Sequence, residues 1–146
     1  MRRAIMIAIV LGIGAGCAAR RMPTFHTVAL EGVSYDKAFD AAEVAIARHF
    51  EIYFADRKAG VISTRYSTEK SIDSIIKIRA IAVLTKRSDG AVDMHFKVLR
   101  ERFWERWTGD HELVTQHDFL GEDEDFARRI LKEAQKIAAE SKQSKK

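Results

Sequence analysis

The sequence predicts an α+β domain: an antiparallel sheet of about four to five strands packed against an N-terminal and a C-terminal helix, in the order β-α-β-β-β-β-α. Three observations predict it. Apolar residues recur at helical spacing from Tyr35 to Phe50 and again from Phe126 to Ala138. Between these stretches lie segments of two-residue alternation, separated by Asp-Arg-Lys-Ala-Gly at 56–60 and Ser-Asp-Gly at 88–90, both turn signals. The chain has 146 residues, 47% of them hydrophobic, with no repeat or Pro/Gly-rich linker, which suits a single core.

Taken in order, residues 24–30 alternate loosely through Phe25, Thr27, Val28 and Leu30, a first strand ended by Glu31-Gly32. Ser34 is an N-cap residue, and Asp36 sits in the first turn, where the helix dipole favours negative charge. Tyr35, Phe39, Ala42, Ile46 and His49 or Phe50 form the apolar stripe of that helix, and Ala38, Ala41, Ala42 and Ala45 allow close approach to a sheet. Residues 51–55 and 61–66 are β-rich and flank the loop ending in Gly60, a hairpin. In the second hairpin Ile76, Ile78, Ala80, Ala82 and Leu84 share one face, and Val92, Met94, Phe96 and Val98 match them across the turn. The opposite face carries Asp93, His95, Lys97 and Glu101 and is expected to be solvated. Residues 112–115 are β-prone. Glu122 to Asp125 then supply the acidic start of a helix that buries Phe126, Ile130, Leu131, Ala134, Ile137 and Ala138.

Before the domain, Met1-Arg2-Arg3 is a short basic region, and the uncharged run Ala4 to Gly16 is too short to span a bilayer core that needs about 20 residues. This is the pattern of a signal peptide. Its end, Gly14-Ala15-Gly16-Cys17, resembles the bacterial lipobox, in which cleavage precedes a cysteine carrying diacylglycerol; Gly14 stands where that pattern usually has leucine. The resemblance implies cleavage between Gly16 and Cys17 and lipidation of Cys17, the chain's only cysteine. Several acyl chains, each worth about 0.8 kcal/mol per buried methylene, would then anchor the protein firmly. It also implies a bacterial envelope protein. Ala18, where an inner-membrane retention signal often has aspartate, favours the outer membrane facing the periplasm. The expected division is a signal at 1–16, a lipid-anchored tether at 17–23, one α+β domain at 24–140 and a basic tail at 141–146.

The formal charge of +4 divides unevenly. Arg2 and Arg3 belong to the signal, Arg20 and Arg21 to the tether, and Lys142, Lys145 and Lys146 to the C-terminal end, while residues 22–139 hold 18 Lys and Arg against 20 Asp and Glu. A domain that is net acidic argues against nucleic acid as a partner.

Catalytic motifs are weak. His111-Glu112-Leu113-Val114-Thr115-Gln116-His117 has Thr115 where a zinc protease needs its second histidine. A looser set of Asp110, His111, His117 and Asp118 is outweighed by a polar loop or edge strand. No phosphate loop, dinucleotide fingerprint or nucleophile elbow occurs. Acids 122–125 suit a helix start better than paired acid–base catalysis, and Asp56 and Gly60 suit a turn. The sequence therefore predicts no enzyme, no cofactor and no metal. Arg102, Trp104, Arg106 and Trp107 form the densest aromatic and guanidinium cluster. They offer either a partner-binding patch or indoles tucked into the core.

Val33-Ser34-Tyr35-Asp36-Lys37-Ala38-Phe39, followed by Ile52-Tyr53-Phe54-Ala55-Asp56-Arg57-Lys58-Ala59-Gly60-Val61-Ile62, resembles small envelope lipoprotein domains of the BamC type. The resemblance implies a helix-grip fold and an accessory place in outer-membrane β-barrel assembly. The function expected is a lipid-anchored, non-catalytic structural or interaction module, held by membrane lipid at Cys17 and meeting an envelope protein partner. The alternative is a binder of a small apolar ligand or lipid in the cleft between sheet and helix.

Overall fold

The computed structural model describes residues 24–70, 74–107 and 113–143. Its elements are β1 (His26–Leu30), α1 (Tyr35–Ala47), β2 (Ile52–Asp56), β3 (Val61–Thr64), β4 (Ser67–Lys70), β5 (Ile75–Lys86), β6 (Val92–Trp107), β7 (Leu113–Glu122) and α2 (Glu124–Gln143). The α+β class and both helices match the sequence expectation, but the sheet has seven antiparallel strands, not four or five. The expected β-α-β-β-β-β-α order is corrected accordingly. Ser67-Thr68-Glu69-Lys70 is polar and exposed at every position, so β4 has no alternation to betray it; its ladder with β5 makes it a strand. β6 runs nine residues past Val98 through Arg100-Glu101-Arg102, where charges interrupt the apolar pattern but pairing with β5 and β7 continues.

The sheet is built on β5 and β6, paired without a break from Ile75↔Phe103 to Lys86↔Val92. Each has an outer edge shared by two shorter strands. Along β5 lie β3 and then β4, with β2 beyond β3; along β6 lie β1 and then β7. Both helices contribute to one core, so they cover the same face. From the sheet this core takes Leu30, Ile62, Ala80, Ala82, Leu84, Val92, Met94, Phe96 and Val98.

α1 starts where expected. The Ser34 hydroxyl accepts the Lys37 N–H at 3.5 Å, and Ala38, Phe39, Ala41, Ala42, Ala45 and Ile46 are buried. Asp123 caps α2 by accepting the Phe126 N–H at 3.1 Å, which makes Glu122 the last residue of β7 and not part of the helix start. The helices are antiparallel neighbours, and both ends of α1 are tied to α2. Lys37 Nζ donates to the Ser141 carbonyl at 2.6 Å, near the C-terminal end of α2. At the other end Glu133 binds Arg48 and, at 2.9 Å, His49, whose ring meets Phe126 edge-on.

The 56–60 turn locks the first hairpin to the second. Asp56 Oδ1 accepts the N–H groups of Lys58 and Ala59 at 2.9 and 3.0 Å, and the Gly60 carbonyl accepts the Leu84 N–H at 2.7 Å. Gly60 has φ +71°, and a Cβ there would lie 2.3 Å from the Leu84 carbonyl oxygen. Glycine is thus required twice over, by conformation and by space.

Gly60→Ala is expected to cost more than about 2 kcal/mol, since it adds a backbone clash to positive-φ strain. Gly90→Ala, at φ +84° with nothing within 4 Å of the new Cβ, should cost only about 1 kcal/mol; urea midpoints of the two variants check the contrast. The hydrogen bond from His49, then that from Arg48, holds the Glu133 carboxyl below its ordinary value. Its stabilisation is therefore complete above the ordinary glutamate value of 4.5 and lost as pH falls through the lower folded value. Wild type should exceed Glu133→Gln by about 1 kcal/mol at neutral pH, a difference that denaturation titrations should see vanish in acid.

Candidate functional site

A sheet with both helices on one face leaves the other to solvent unless something covers it. Strand alternation and register define that open face: Ile75, Lys77, Arg79, Ile81, Val83 and Thr85 on β5, beside Asp93, His95, Lys97, Leu99, Glu101 and Phe103 on β6. Eight large apolar side chains are exposed among the described residues: Phe25, Val44, Tyr53, Phe54, Tyr66, Ile75, Phe119 and Leu120. Six of them belong to this face. Ile75 is one of its register positions; Phe54 stands opposite Ser63, which pairs with Ile81, and Phe119 stands opposite Glu101. Phe25 lies under Lys97, and Tyr53 and Tyr66 line a groove with Arg79. That concentration marks a contact surface.

The face is cationic as well as aromatic. Lys77 Nζ stands 4.4 Å from the Phe103 ring centre, Arg79 5.1 Å from Tyr66 and Lys97 4.3 Å from Phe25. Rings and cations at such distances attract one another and hold each other in place. Burial first, and then hydrogen bonding toward Glu101, raise the Tyr66 phenol above its ordinary value.

A β-bulge shapes one concave part of this face. Ser63 pairs with Ile81 and Ser67 with Ile78, so Thr64, Arg65 and Tyr66 oppose only Ala80 and Arg79. Thr64 stays on the core side, buried, where its hydroxyl accepts the Ala80 N–H at 2.9 Å. The Arg65 N–H turns instead to the Glu51 carbonyl at 2.8 Å. After the slip Tyr66 emerges on the open face. Together with Tyr53, Ser63, Thr64, Arg65 and Arg79 it lines a groove of about 470 Å³. Arg65 is neutralised there by Glu51, 2.7 Å away.

The residues singled out by sequence fall elsewhere. Gly16 and Cys17 lie outside the described residues, as do Asp110, His111 and Glu112 of the metal-like motif. Arg102, Trp104, Arg106 and Trp107 all stand on β6, opposite Asp118, Gln116, Val114 and Leu113 of β7. Arg102 is exposed and Trp104 half-buried, and both have the helix-side parity of Phe96 and Val98. Trp104 and Trp107, three apart, have opposite parity on a strand. His117 and Asp118 are consecutive positions of β7, not one face of a helix.

The described histidines have local partners: His95 lies between the Thr27 and Thr85 hydroxyls at 2.8 and 3.1 Å, His49 binds Glu133, and His26 is 3.9 Å from Glu122. Between α1 and the sheet Phe39, Ile46, Met94 and Phe96 are each no more than 2% exposed, while a groove of about 370 Å³ runs between β1 and α2, lined by Ala29, Leu30, Gln135, Ala138 and Lys142. Sequence reasoning passed over Tyr53, Tyr66, Lys77 and Arg79. The available signal was the string of large apolar residues and cations at positions that alternation assigns to the outer face.

Comparison with protein-family models finds no match, and comparison with curated proteins finds none at significant similarity.

Thr64→Val keeps the shape but leaves the Ala80 N–H without its acceptor, at an expected cost of about 1–3 kcal/mol. Thr64→Ser keeps the hydroxyl and should cost less; chemical denaturation of both variants separates bulge support from simple packing.

Proposed function

We propose that this chain is a lipid-anchored bacterial envelope protein, a non-catalytic structural or interaction module whose working surface is the helix-free face of its sheet. One observation carries the reading: six of the eight large apolar side chains exposed among the described residues gather on that face, interleaved with cations. The lipobox-like Gly14-Ala15-Gly16-Cys17 supports acylation of Cys17 and residence at a membrane, the outer membrane being favoured by Ala18. No helix among the described residues is long and apolar enough to cross a bilayer.

The BamC-type motifs fall on the Ser34-capped helix and on the hairpin turned by Asp56 and Gly60. That supports a helix-grip relationship and an accessory role in outer-membrane assembly as the specific form of this reading. The β6–β7 arm, with Arg102, Trp104, Arg106 and Trp107 at its positions, is the proposed meeting place with an envelope protein partner.

Replacing Cys17 with serine is expected to move the protein from the membrane to the soluble fraction of fractionated cells. Undiminished retention of Cys17→Ser would remove the lipid anchor from the proposal. Trp104→Ala should weaken crosslinking to the partner without changing the urea midpoint; loss of stability would assign that indole to packing instead.

A further inference from the structure

We infer that the helix-free face of the sheet lies against the headgroups of an anionic bilayer; the inference rests on the lipid-anchor reading and adds what the anchored domain touches. Charge is the first argument. Lys77, Arg79 and Lys97 project from this face over aromatic rings, and none forms an ion pair with a carboxylate among the described residues. The same face also carries acids: Asp93, 3.6 Å from Arg87, Glu101, the register partner of Lys77, and Glu122, opposite Leu99. With Asp93 set against Arg87, the cations Lys77, Arg79 and Lys97 outnumber the acids Glu101 and Glu122 around Leu99 by one. An anionic surface is the complement of such a field.

Residue type is the second argument. Phe and Tyr beside Lys and Arg are what a protein presents to the headgroup layer, where a ring has one apolar and one wet side. The core of a protein–protein interface is depleted of lysine, and Lys77 stands near the centre of this patch, over both Phe103 and Tyr66.

The place of Phe25 in the chain supports the same seating. Phe25, held under Lys97, belongs to the open face, and Cys17 precedes it by eight residues. Eight extended residues reach at most about 30 Å. An acylated Cys17 therefore holds Phe25, at the edge of this face, within that reach of the bilayer. The helices then point away from it, and their solvent sides and the β6–β7 arm remain accessible to other proteins.

The test uses the mature protein purified from membranes and reconstituted in vesicles of phosphatidylcholine with or without phosphatidylglycerol. An environment-sensitive fluorophore is attached at Ile75→Cys on the open face or at Lys132→Cys on α2. The expected result is a blue shift at position 75 that requires phosphatidylglycerol, and no shift at 132. Lys77→Gln and Lys97→Gln should each weaken the phosphatidylglycerol dependence about fivefold while the protein still floats with the vesicles. If Ile75→Cys unfolds the protein, Lys70→Cys, its register partner on β4, takes the label instead. A label at 75 that stays as wet as one at 132, or a shift indifferent to phosphatidylglycerol and to both lysines, overturns the inference and assigns the face to a protein or a second copy of the chain. The wild-type thiol separates the two readings. A Cys17 that reacts with maleimide carries no acyl group and overturns both, whereas a blocked Cys17 with a wet label at 75 overturns only the seating of the face.

Discussion

The ladder between β5 and β6 is the constraint on which the rest of the molecule depends. Twelve consecutive register pairs set the pleat of both strands, so Ala80, Ala82 and Leu84 reach the same side as Val92, Met94, Phe96 and Val98. A slip of one residue would exchange that apolar set for Arg79, His95 and Lys97 and leave both helices without a surface to cover. The other five strands dock on this pair or, in the case of β2, on a strand that does. The close contact of Gly60 with Leu84 then ties the first hairpin to the second at one position.

Each long strand meets two short ones along its outer edge, and the two junctions are built differently. On the β5 side the chain is continuous through a bulge, and the Thr64 hydroxyl takes over the acceptor role that a regular ladder would give to a backbone carbonyl. On the β6 side the junction joins the start of β1 to the end of β7. There His26 and Glu122 approach across 3.9 Å, and each keeps a buried polar atom without a hydrogen-bond partner. The helices answer the apolar half of the sheet, and the continuation through β4 and β7 extends the ladder toward Phe103 and Trp107. One architecture thus separates a packed core from an open surface of rings and cations.

That separation gives the proposed function its physical basis. Between α1 and the sheet four alanines pack closely and Phe39 is sealed. A groove lies on the other side, where the bulge turns Tyr66 outward next to Tyr53. A bulge that re-aims one side chain while a buried hydroxyl satisfies the backbone keeps both sheet and groove intact. The cations need no carboxylates to hold them, since each is placed over a ring.

The helices, the two hairpin turns and the apolar faces of β5 and β6 were legible because each is written in local chemistry. Ser34 with Asp36, the alanine-rich stripe, Asp56 with Gly60 and strict alternation all act within a few residues. Cys17 is likewise a matter of sequence alone, carried by its neighbours and not by any fold. β4 and the far half of β6 were not legible, since their polar residues become strands only by hydrogen bonding to β5, a partner supplied by the fold. The same reason hid the surface. Tyr53, Tyr66 and Phe119 look like ordinary strand residues until register shows that three slips, at Ile52/Phe54, at Thr64–Tyr66 and in β7 opposite Arg100/Glu101, bring them to the face of Lys77 and Arg79. The spacing of Trp104 and Trp107 could be read as a shared patch until pairing made their segment a strand of period two. Local propensity and periodicity determined which segments fold and which residues they bury; only long-range pairing, which sets register and parity, decided what the outer face of the sheet presents.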